Sequence, residues 1–163
     1  MKPVKLTPTD FKPYGYVISA TKGKPLAKNK ELTYWSKVSL PKMGKTLSTG
    51  VLFGHERQAV VRSLERHKKT SEALVALEGD SIVCFGKPCS SHKRIRGIKA
   101  FYVRQGQAIC MHTGTWHWAP FPINVKKCKF LVLFATDTET SDLEIRDVPE
   151  EVGIADTSRP RRL

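Results

Sequence analysis

The 163-residue sequence contains no apolar run long enough to span a membrane. Its first five residues, from Met1 to Lys5, also lack the apolar core of a secretory signal. We therefore expect a cytoplasmic protein that makes no contact with a membrane.

Cysteine is scarce, and no two of the four cysteines form a Cys-x-x-Cys pair, so they do not indicate a zinc knuckle. Each lies in or beside a strand-like segment. We expect buried, reduced thiols that pack as small hydrophobic groups. The four residues are Cys84, Cys89, Cys110 and Cys128.

Acidic residues are few: 15 Asp and Glu stand against 28 Lys and Arg, which gives a net charge of +13. Such a charge raises the question of nucleic-acid binding, because Lys and Arg bind phosphates. The basic residues are spread along the chain, however, and no helix-turn-helix, zinc-finger spacing or stacking-aromatic signature accompanies them. We expect no nucleic-acid partner. A basic surface that attracts a small anionic substrate, or that keeps the protein in solution, accounts for the same charge.

No segment shows the pattern of a long amphipathic helix. Short strand-like segments instead follow one another, with turn signals at a spacing of roughly ten residues, which is typical of an all-β barrel or sandwich. Two of these strands are predicted over residues 32–40 and 142–145. The length suits a single domain, which we expect over residues 1–155, followed by a disordered basic tail over residues 156–163.

The first motif runs from Glu65 to Gly79 and has the form Glu-x-His-x4-Glu-x6-Gly. The residues leading into it alternate with the period of a strand, so Glu65 and His67 point the same way. A Lys-Lys-Thr-Ser turn follows, and Glu72 starts a segment that can return along a neighbouring strand. A Glu-Gly-Asp hairpin turn then ends that segment.

The second motif begins at Gly106 and has the form Gly-x5-His-x-Gly-x2-His, which marks His112, Gly114 and His117. Two imidazoles and two carboxylates, or three imidazoles and one carboxylate, can therefore converge inside a small barrel. Nitrogen and oxygen ligands in that mixture suit Zn, Ni, Mn or Fe(II) better than Mg or Ca.

The spacing of the two motifs resembles the two signatures of the cupin superfamily. Glu65 stands where the first signature has its customary first histidine, and His112 and Phe121 stand where the second has proline and asparagine. The resemblance implies an all-β, single-domain, cupin-like β-barrel (jelly roll) with few short helices. It also implies a homodimer, because cupin barrels often pair through edge strands that otherwise need cover.

More specifically, the chain resembles the ureidoglycolate lyases of purine (allantoin) breakdown. The matching pieces are Leu6-Thr7-Pro8 through Phe11, Tyr14 through Ile18, Leu64 through His67, Glu72-Ala73, Ala100-Phe101, Gly106 through His112, Gly114, Trp116-His117, Phe130-Leu131 and Asp142-Leu143-Glu144.

Two departures from the family pattern stand out. The family has an Arg-aromatic-His-Asp segment where this chain has Thr33-Tyr34-Trp35-Ser36, which removes polar groups that could hold a substrate. The family also has Gln where Glu72 stands, and the added carboxylate favours metal binding here.

The resemblance implies elimination of urea from ureidoglycolate to give glyoxylate. We assign His67, Glu72 and His117 to a divalent metal, with Glu65 or His112 as the fourth ligand and the other of these two as the catalytic base. Two alternatives stay open at this point. One is another metal-dependent cupin enzyme acting on a small hydroxy acid or sugar, and the other is a non-catalytic binding module for anionic metabolites or nucleic acid.

Overall fold

The computed structural model describes residues 1–19, 23–88 and 95–155. The elements, in chain order, are β1 (Val4–Lys5), α1 (Pro8–Phe11), β2 (Gly15–Ile18), β3 (Ala27–Lys28), β4 (Thr33–Tyr34), β5 (Leu47–His55), β6 (Val60–Arg66), β7 (Glu72–Glu78), β8 (Ser81–Gly86), β9 (Lys99–Val103), β10 (Ala108–Met111), β11 (Trp116–His117), β12 (Phe121–Pro122), β13 (Lys127–Ala135), α2 (Thr138–Ser141) and β14 (Glu144–Gly153).

Most of these strands belong to two sheets. The first has the order β1-β9-β8-β11-β6-β14, with β12 also paired to β8, and the second has the order β2-β10-β7-β13-β5. All their pairings are antiparallel except β1 with β9. The expectation of an all-β barrel with few short helices is confirmed, since the described helices have four residues each.

The main core lies between the two sheets. Phe85 and Phe101 come from the first sheet, Ile109 and Phe130 come from the second, and Phe11 from α1 packs among them. The side chain of Thr7 caps α1 by accepting a hydrogen bond from the backbone N–H of Asp10 at 3.1 Å. A second apolar cluster, which includes Leu64 and Trp116, is formed by residues of the first sheet and of segments beside it.

The chain turns between β7 and β8 at Gly79, whose φ of +76° is the left-handed conformation that glycine adopts without steric cost. Glu72 lies at the start of β7 and this turn at its end. The turn predicted from Glu-Gly-Asp is present, but the predicted hairpin is wrong, because β7 pairs with β10 and β13 in the second sheet whereas β8 belongs to the first. The strand before the turn at residues 68–70 is likewise not a neighbour of β7, since β6 also belongs to the first sheet. Cys84, Cys110 and Cys128 are buried and free, as expected for packed thiols, whereas Cys89 lies outside the described residues.

The strand predicted over residues 32–40 is wrong for most of its length. Only Thr33–Tyr34 forms a strand, and it pairs with β3 in a two-stranded ribbon. The apolar side chains that suggested a buried strand are exposed instead: Leu32 is 48% exposed, Tyr34 53% and Leu40 74%. A ribbon of only two strands buries too little apolar surface to stabilise a longer strand.

The strand predicted over residues 142–145 begins two residues later, at Glu144, and continues to Gly153. Asp142 instead caps the C-terminal end of α2, where its backbone N–H donates to Thr138. The tail predicted over residues 156–163 lies outside the described residues. No described helix is long and apolar enough to cross a membrane.

Candidate metal centre

The candidate site is built where the two sheets meet at one end of the barrel. His117 on β11 lies directly opposite Glu65 on β6, so these two side chains share a face of the first sheet. Glu72 is the first residue of β7 in the second sheet, and His67 follows the last residue of β6. The pairing of strands thus brings together side chains that are up to 52 positions apart in the sequence.

Glu72 is the centre of the cluster. Its Oε2 atom lies 2.8 Å from Nε2 of His67 and 3.2 Å from Nε2 of His117. Oε1 of Glu65 lies 3.6 Å from the same nitrogen of His117. His67, Glu72 and His117 are all buried, and each offers one ligand atom within 4.8 Å of the others. We call these three residues the His-Glu-His cluster.

Both imidazoles are oriented by backbone carbonyls. Nδ1 of His67 donates to the carbonyl of Asp142 at 2.9 Å, and Nδ1 of His117 donates to the carbonyl of Thr115 at 3.0 Å. A carbonyl can only accept a hydrogen bond, so Nδ1 carries the proton in each ring. In the neutral ring the Nε2 lone pair then points into the cluster, which is the arrangement found at metal-binding histidines.

The cluster fits a metal ion. Nε2 of His117 is buried and, in the described part of the chain, has no hydrogen-bond partner, because its approach to Glu72 lacks hydrogen-bond geometry. A buried polar atom without a partner is costly, and a cation at this position would bind it. Two imidazoles and one carboxylate form a three-ligand set that leaves positions open for substrate.

The charges of the cluster depend on one another. Burial would lower the pKa of His117, but the Glu72 carboxylate raises it to about 9. Burial would raise the pKa of Glu72, but the positive charge of His117 at close range and the contact with the His67 ring lower it to about 2. Without a metal the imidazolium charge compensates the buried carboxylate. A divalent cation can replace the proton in that role.

A cavity of about 200 Å³ opens beside the cluster. Three carboxylates (Glu65, Glu72 and Glu139) lie on its wall together with His67, and the remaining described lining is apolar except for Thr138. No Lys or Arg occurs among these described lining residues, although the whole chain is strongly basic. An anionic ligand would therefore be repelled from the cavity unless a cation occupied the cluster.

His112, which the sequence offered as a ligand or a base, is not brought into the cluster. Met111 lies opposite Glu72 in the pairing of β10 with β7 and contributes to the core, so the next residue points away from the cluster. The ring of His112 contacts the edge of Tyr16, with centroids 4.8 Å apart. Its Nε2 atom lies 3.1 Å from the carbonyl of Lys12.

Arg66 lies next to Glu65 in sequence but does not pair with it in the described contacts. Its side chain is buried, its Nε atom donates to Glu144 at 3.0 Å, and its guanidinium lies 4.5 Å from the centre of the Trp116 ring. Glu65 therefore remains directed towards His117. These contacts give Arg66 a structural role.

Asp142 is the residue that sequence reasoning missed. Its buried carboxylate accepts hydrogen bonds from the backbone N–H groups of Lys68, Lys69 and Thr70 at 2.9, 2.8 and 3.1 Å. Its backbone carbonyl accepts the bond from His67. Asp142-Leu143-Glu144 carries part of the family resemblance, but nothing in the sequence indicated a contact with a turn more than seventy positions away.

A family model described as ureidoglycolate lyase matches residues 1–155 of the chain. This range contains both motifs and every described strand.

Among solved structures, the chain is similar to a point mutant of the oxalate decarboxylase of Bacillus subtilis, with 16% identity and a TM-score of 0.42. The match covers 67% of this chain and 24% of that one. A structure of the same enzyme concerned with its Mn(II) centres matches with the same identity, coverage and TM-score. The chain thus spans about a quarter of the length of the solved structures it matches. Comparison with curated proteins finds no significant match.

Proposed function

The chain belongs to the ureidoglycolate lyase family, and we propose that it eliminates urea from ureidoglycolate and leaves glyoxylate. The observation that carries this proposal is the convergence of His67, Glu72 and His117 beside a small cavity, within the region that matches the family. The cavity of about 200 Å³ lies below the usual range for drug-sized ligands and suits a small metabolite.

The His-Glu-His cluster would hold a divalent metal through the two Nε2 atoms and a Glu72 oxygen. When bound, the metal would supply positive charge for the carboxylate or hydroxyl oxygen of the substrate. The nitrogen and oxygen donors support Mn, Ni, Zn or Fe(II). The anionic lining supports the need for such a cation, because ureidoglycolate itself carries a carboxylate.

Glu65 is the residue we assign as the general base. It lies on the cavity wall beside His117, and its side chain is 28% exposed, so it can reach a bound substrate. Removal of the substrate hydroxyl proton by Glu65 lets the C–O bond become a carbonyl while the C–N bond to urea breaks. The proton then passes from Glu65 to the departing urea nitrogen, which balances the reaction. His112 is given no part in this scheme because it lies outside the cluster.

The chain's departure from the family at residues 33–36 bears on how the substrate is held. Tyr34 lies on the exposed ribbon, and Nε1 of Trp35 donates to the carbonyl of Gly23 at 3.0 Å. None of these side chains lines the described cavity wall. We therefore expect the metal site to provide most of the substrate binding in this chain.

The direct test is release of urea and glyoxylate from ureidoglycolate by the full chain, measured after removal of metal and again after adding back Mn, Ni, Zn or Fe(II) separately. We expect activity to disappear with the metal and to return with at least one of the four ions. A chain that binds metal but releases no urea would contradict the lyase proposal and favour the alternative of another metal-dependent enzyme. A chain that binds no metal would contradict the metal site.

We also propose that the chain is a homodimer. β5 is an edge strand of nine residues, and the large apolar side chains on one of its faces are exposed, namely Leu47, Val51 and Phe53. Such an edge normally needs cover. Light scattering on the purified chain should give twice its mass of 18.3 kDa, and a monomer mass across the micromolar range would contradict the dimer.

A further inference from the structure

We infer that Asp142 is a positioning residue that fixes both the metal ligand His67 and the wall of the substrate cavity. This inference rests on the proposed metal site. It starts from an observation about the turn of residues 68–70 between β6 and β7, which separates His67 from Glu72 and so controls where these two ligand side chains stand.

One carboxylate accepts hydrogen bonds from all three backbone N–H groups of the turn. Oδ1 of Asp142 accepts from the N–H of Lys68, and Oδ2 accepts from the N–H groups of Lys69 and Thr70 and from the Thr70 hydroxyl. Asp142 is only 5% exposed, so these bonds form with little competition from water. An ionised acceptor makes stronger hydrogen bonds than a neutral one.

The same residue orients His67 through its main chain. The carbonyl of Asp142 accepts the Nδ1 proton of His67 at 2.9 Å, which fixes the tautomer and the direction of the ring. The carboxylate and the carbonyl belong to one residue, so the turn and the imidazole are both hydrogen-bonded to Asp142. A displacement of Asp142 would move both.

Asp142 also connects the turn and the His67 ring to the cavity wall. It ends α2, and α2 carries Thr138 and Glu139 on the wall, while the next residue, Leu143, lies on the wall as well. Nζ of Lys69 donates to the carbonyl of Ser141 at 3.1 Å, which ties the turn to the same short helix. The wall and the metal ligand are thereby both connected to one buried residue.

The test compares Asp142→Asn with Asp80→Asn in the full chain. Asn keeps the shape of Asp but cannot accept from all of these donors, because its NH₂ group would face backbone N–H groups. Asp80 accepts a hydrogen bond from the backbone N–H of Gln105 at 3.1 Å, beside the turn at the far end of β7. The control therefore makes the same chemical change away from the cluster.

The first readout is the affinity for Mn(II) or Zn(II) alone, measured by titration calorimetry on metal-free protein. We expect Asp142→Asn to weaken metal binding about 10- to 100-fold, the usual effect of losing an outer-shell partner, and Asp80→Asn to bind as the wild type does. Equal affinities in all three proteins would overturn the inference.

The second readout needs no metal. Proton and nitrogen-15 NMR detects imidazole N–H groups that are held in buried hydrogen bonds. We expect the Nδ1–H signal of His67 to be protected from exchange with water in the wild type and to exchange faster in Asp142→Asn, with the spectrum of His112 unchanged. A wild type that binds neither metal would contradict the proposed metal site, while the NMR comparison would still decide the role of Asp142. An unchanged His67 spectrum would overturn that role.

If Asp142→Asn does not fold, Thr70→Val tests the role of Asp142 instead. It removes the hydroxyl bond to the carboxylate, at 3.2 Å, together with a longer contact of 3.4 Å to the Thr138 hydroxyl, and it leaves the backbone bonds in place. A weaker affinity for Mn(II) or Zn(II) at an unchanged melting temperature supports the inference, and an unchanged affinity overturns it.

Discussion

His117 and His112 come from the same short motif, yet they belong to two different regions of the molecule. His117 is buried against Glu72 and Glu65, and its other ring nitrogen donates to a backbone carbonyl. His112 rests against Tyr16 near the surface, and one of its ring nitrogens contacts the carbonyl of Lys12. The residue type does not predict which region each belongs to, because both are histidines and only one turn of the chain separates them.

The difference shows what makes a histidine a candidate ligand in this fold. A direct pairing of β11 with β6 places His117 opposite a carboxylate on the inner face, whereas the pairing of β10 with β7 gives the inner position to Met111. The strand register, and the face of the sheet on which each residue lies, therefore decide which imidazole is placed beside a carboxylate. If this account is right, equal substitutions in the two regions must have unequal effects.

The largest expected difference is between His117→Ala and His112→Ala. Loss of His117 removes a ligand atom, so we expect release of urea to fall by more than about 100-fold, the upper end for residues that only support ligands. His112→Ala should retain nearly all activity, because its ring contacts neither Glu65 nor the His-Glu-His cluster in the described structure. The rate of urea release at saturating metal measures the activity of both variants. Equal losses of activity would contradict the proposed difference between the two histidines.

The next difference separates binding from catalysis within the His117 region. Glu65→Gln keeps the shape of the side chain but removes its basicity, so we expect kcat to fall by about 10²- to 10⁴-fold, the usual contribution of a general base. Metal content should stay at the wild-type level, since Glu65 is not among the three cluster ligands. Elemental analysis alongside initial rates tests this. A variant that loses metal together with activity would make Glu65 a fourth ligand.

Much of this arrangement follows from sequence because strands have a period of two. The alternation before Glu65 predicts the strand that the structure shows as β6, and the turn signal at Gly79 correctly marks the end of β7. The prediction that these two segments are neighbouring strands is wrong, because β6 lies in the first sheet and β7 in the second. For His67, Glu72 and His117, the structure shows the proximity that the joint spacing of the motifs implied. Their metal-binding role remains a prediction.

Other features of the structure could not be predicted from the alternation and turn signals of the sequence. Alternation along β10 gives Cys110 and His112 a common face but does not say which face is inward; that depends on the register with β7. The role of Asp142 depends on a contact between segments far apart in the chain. Residues 32–40 have apolar side chains typical of a strand, but β4 finds only the short β3 as a partner. In each case the missing information is a tertiary contact.

A third prediction concerns stability in the presence of metal. A ligand that binds only the folded chain, at a concentration 100 times its Kd, stabilises the fold by about 2.7 kcal/mol. For a chain of this size, about 2 to 4 °C of melting temperature corresponds to each kcal/mol, so the shift should be several degrees. We expect this shift in the wild type and in His112→Ala, and its loss in His117→Ala. Differential scanning calorimetry with and without Mn(II) or Zn(II) measures it.

The smallest effect belongs to the His112 region itself. His112→Ala removes one hydrogen bond to Lys12 and the edge contact with Tyr16, so we expect the free energy of unfolding to fall by about 1 kcal/mol. Guanidinium chloride unfolding of the variant and the wild type, with and without metal, gives the loss of unfolding free energy in the metal-bound and the metal-free protein. Sites that share no partners are additive to within about 0.5 kcal/mol, so the loss should be the same in both states. A loss that grows by more than this when metal is bound would show that His112 is coupled to the cluster, and the two regions would then have to be treated as one.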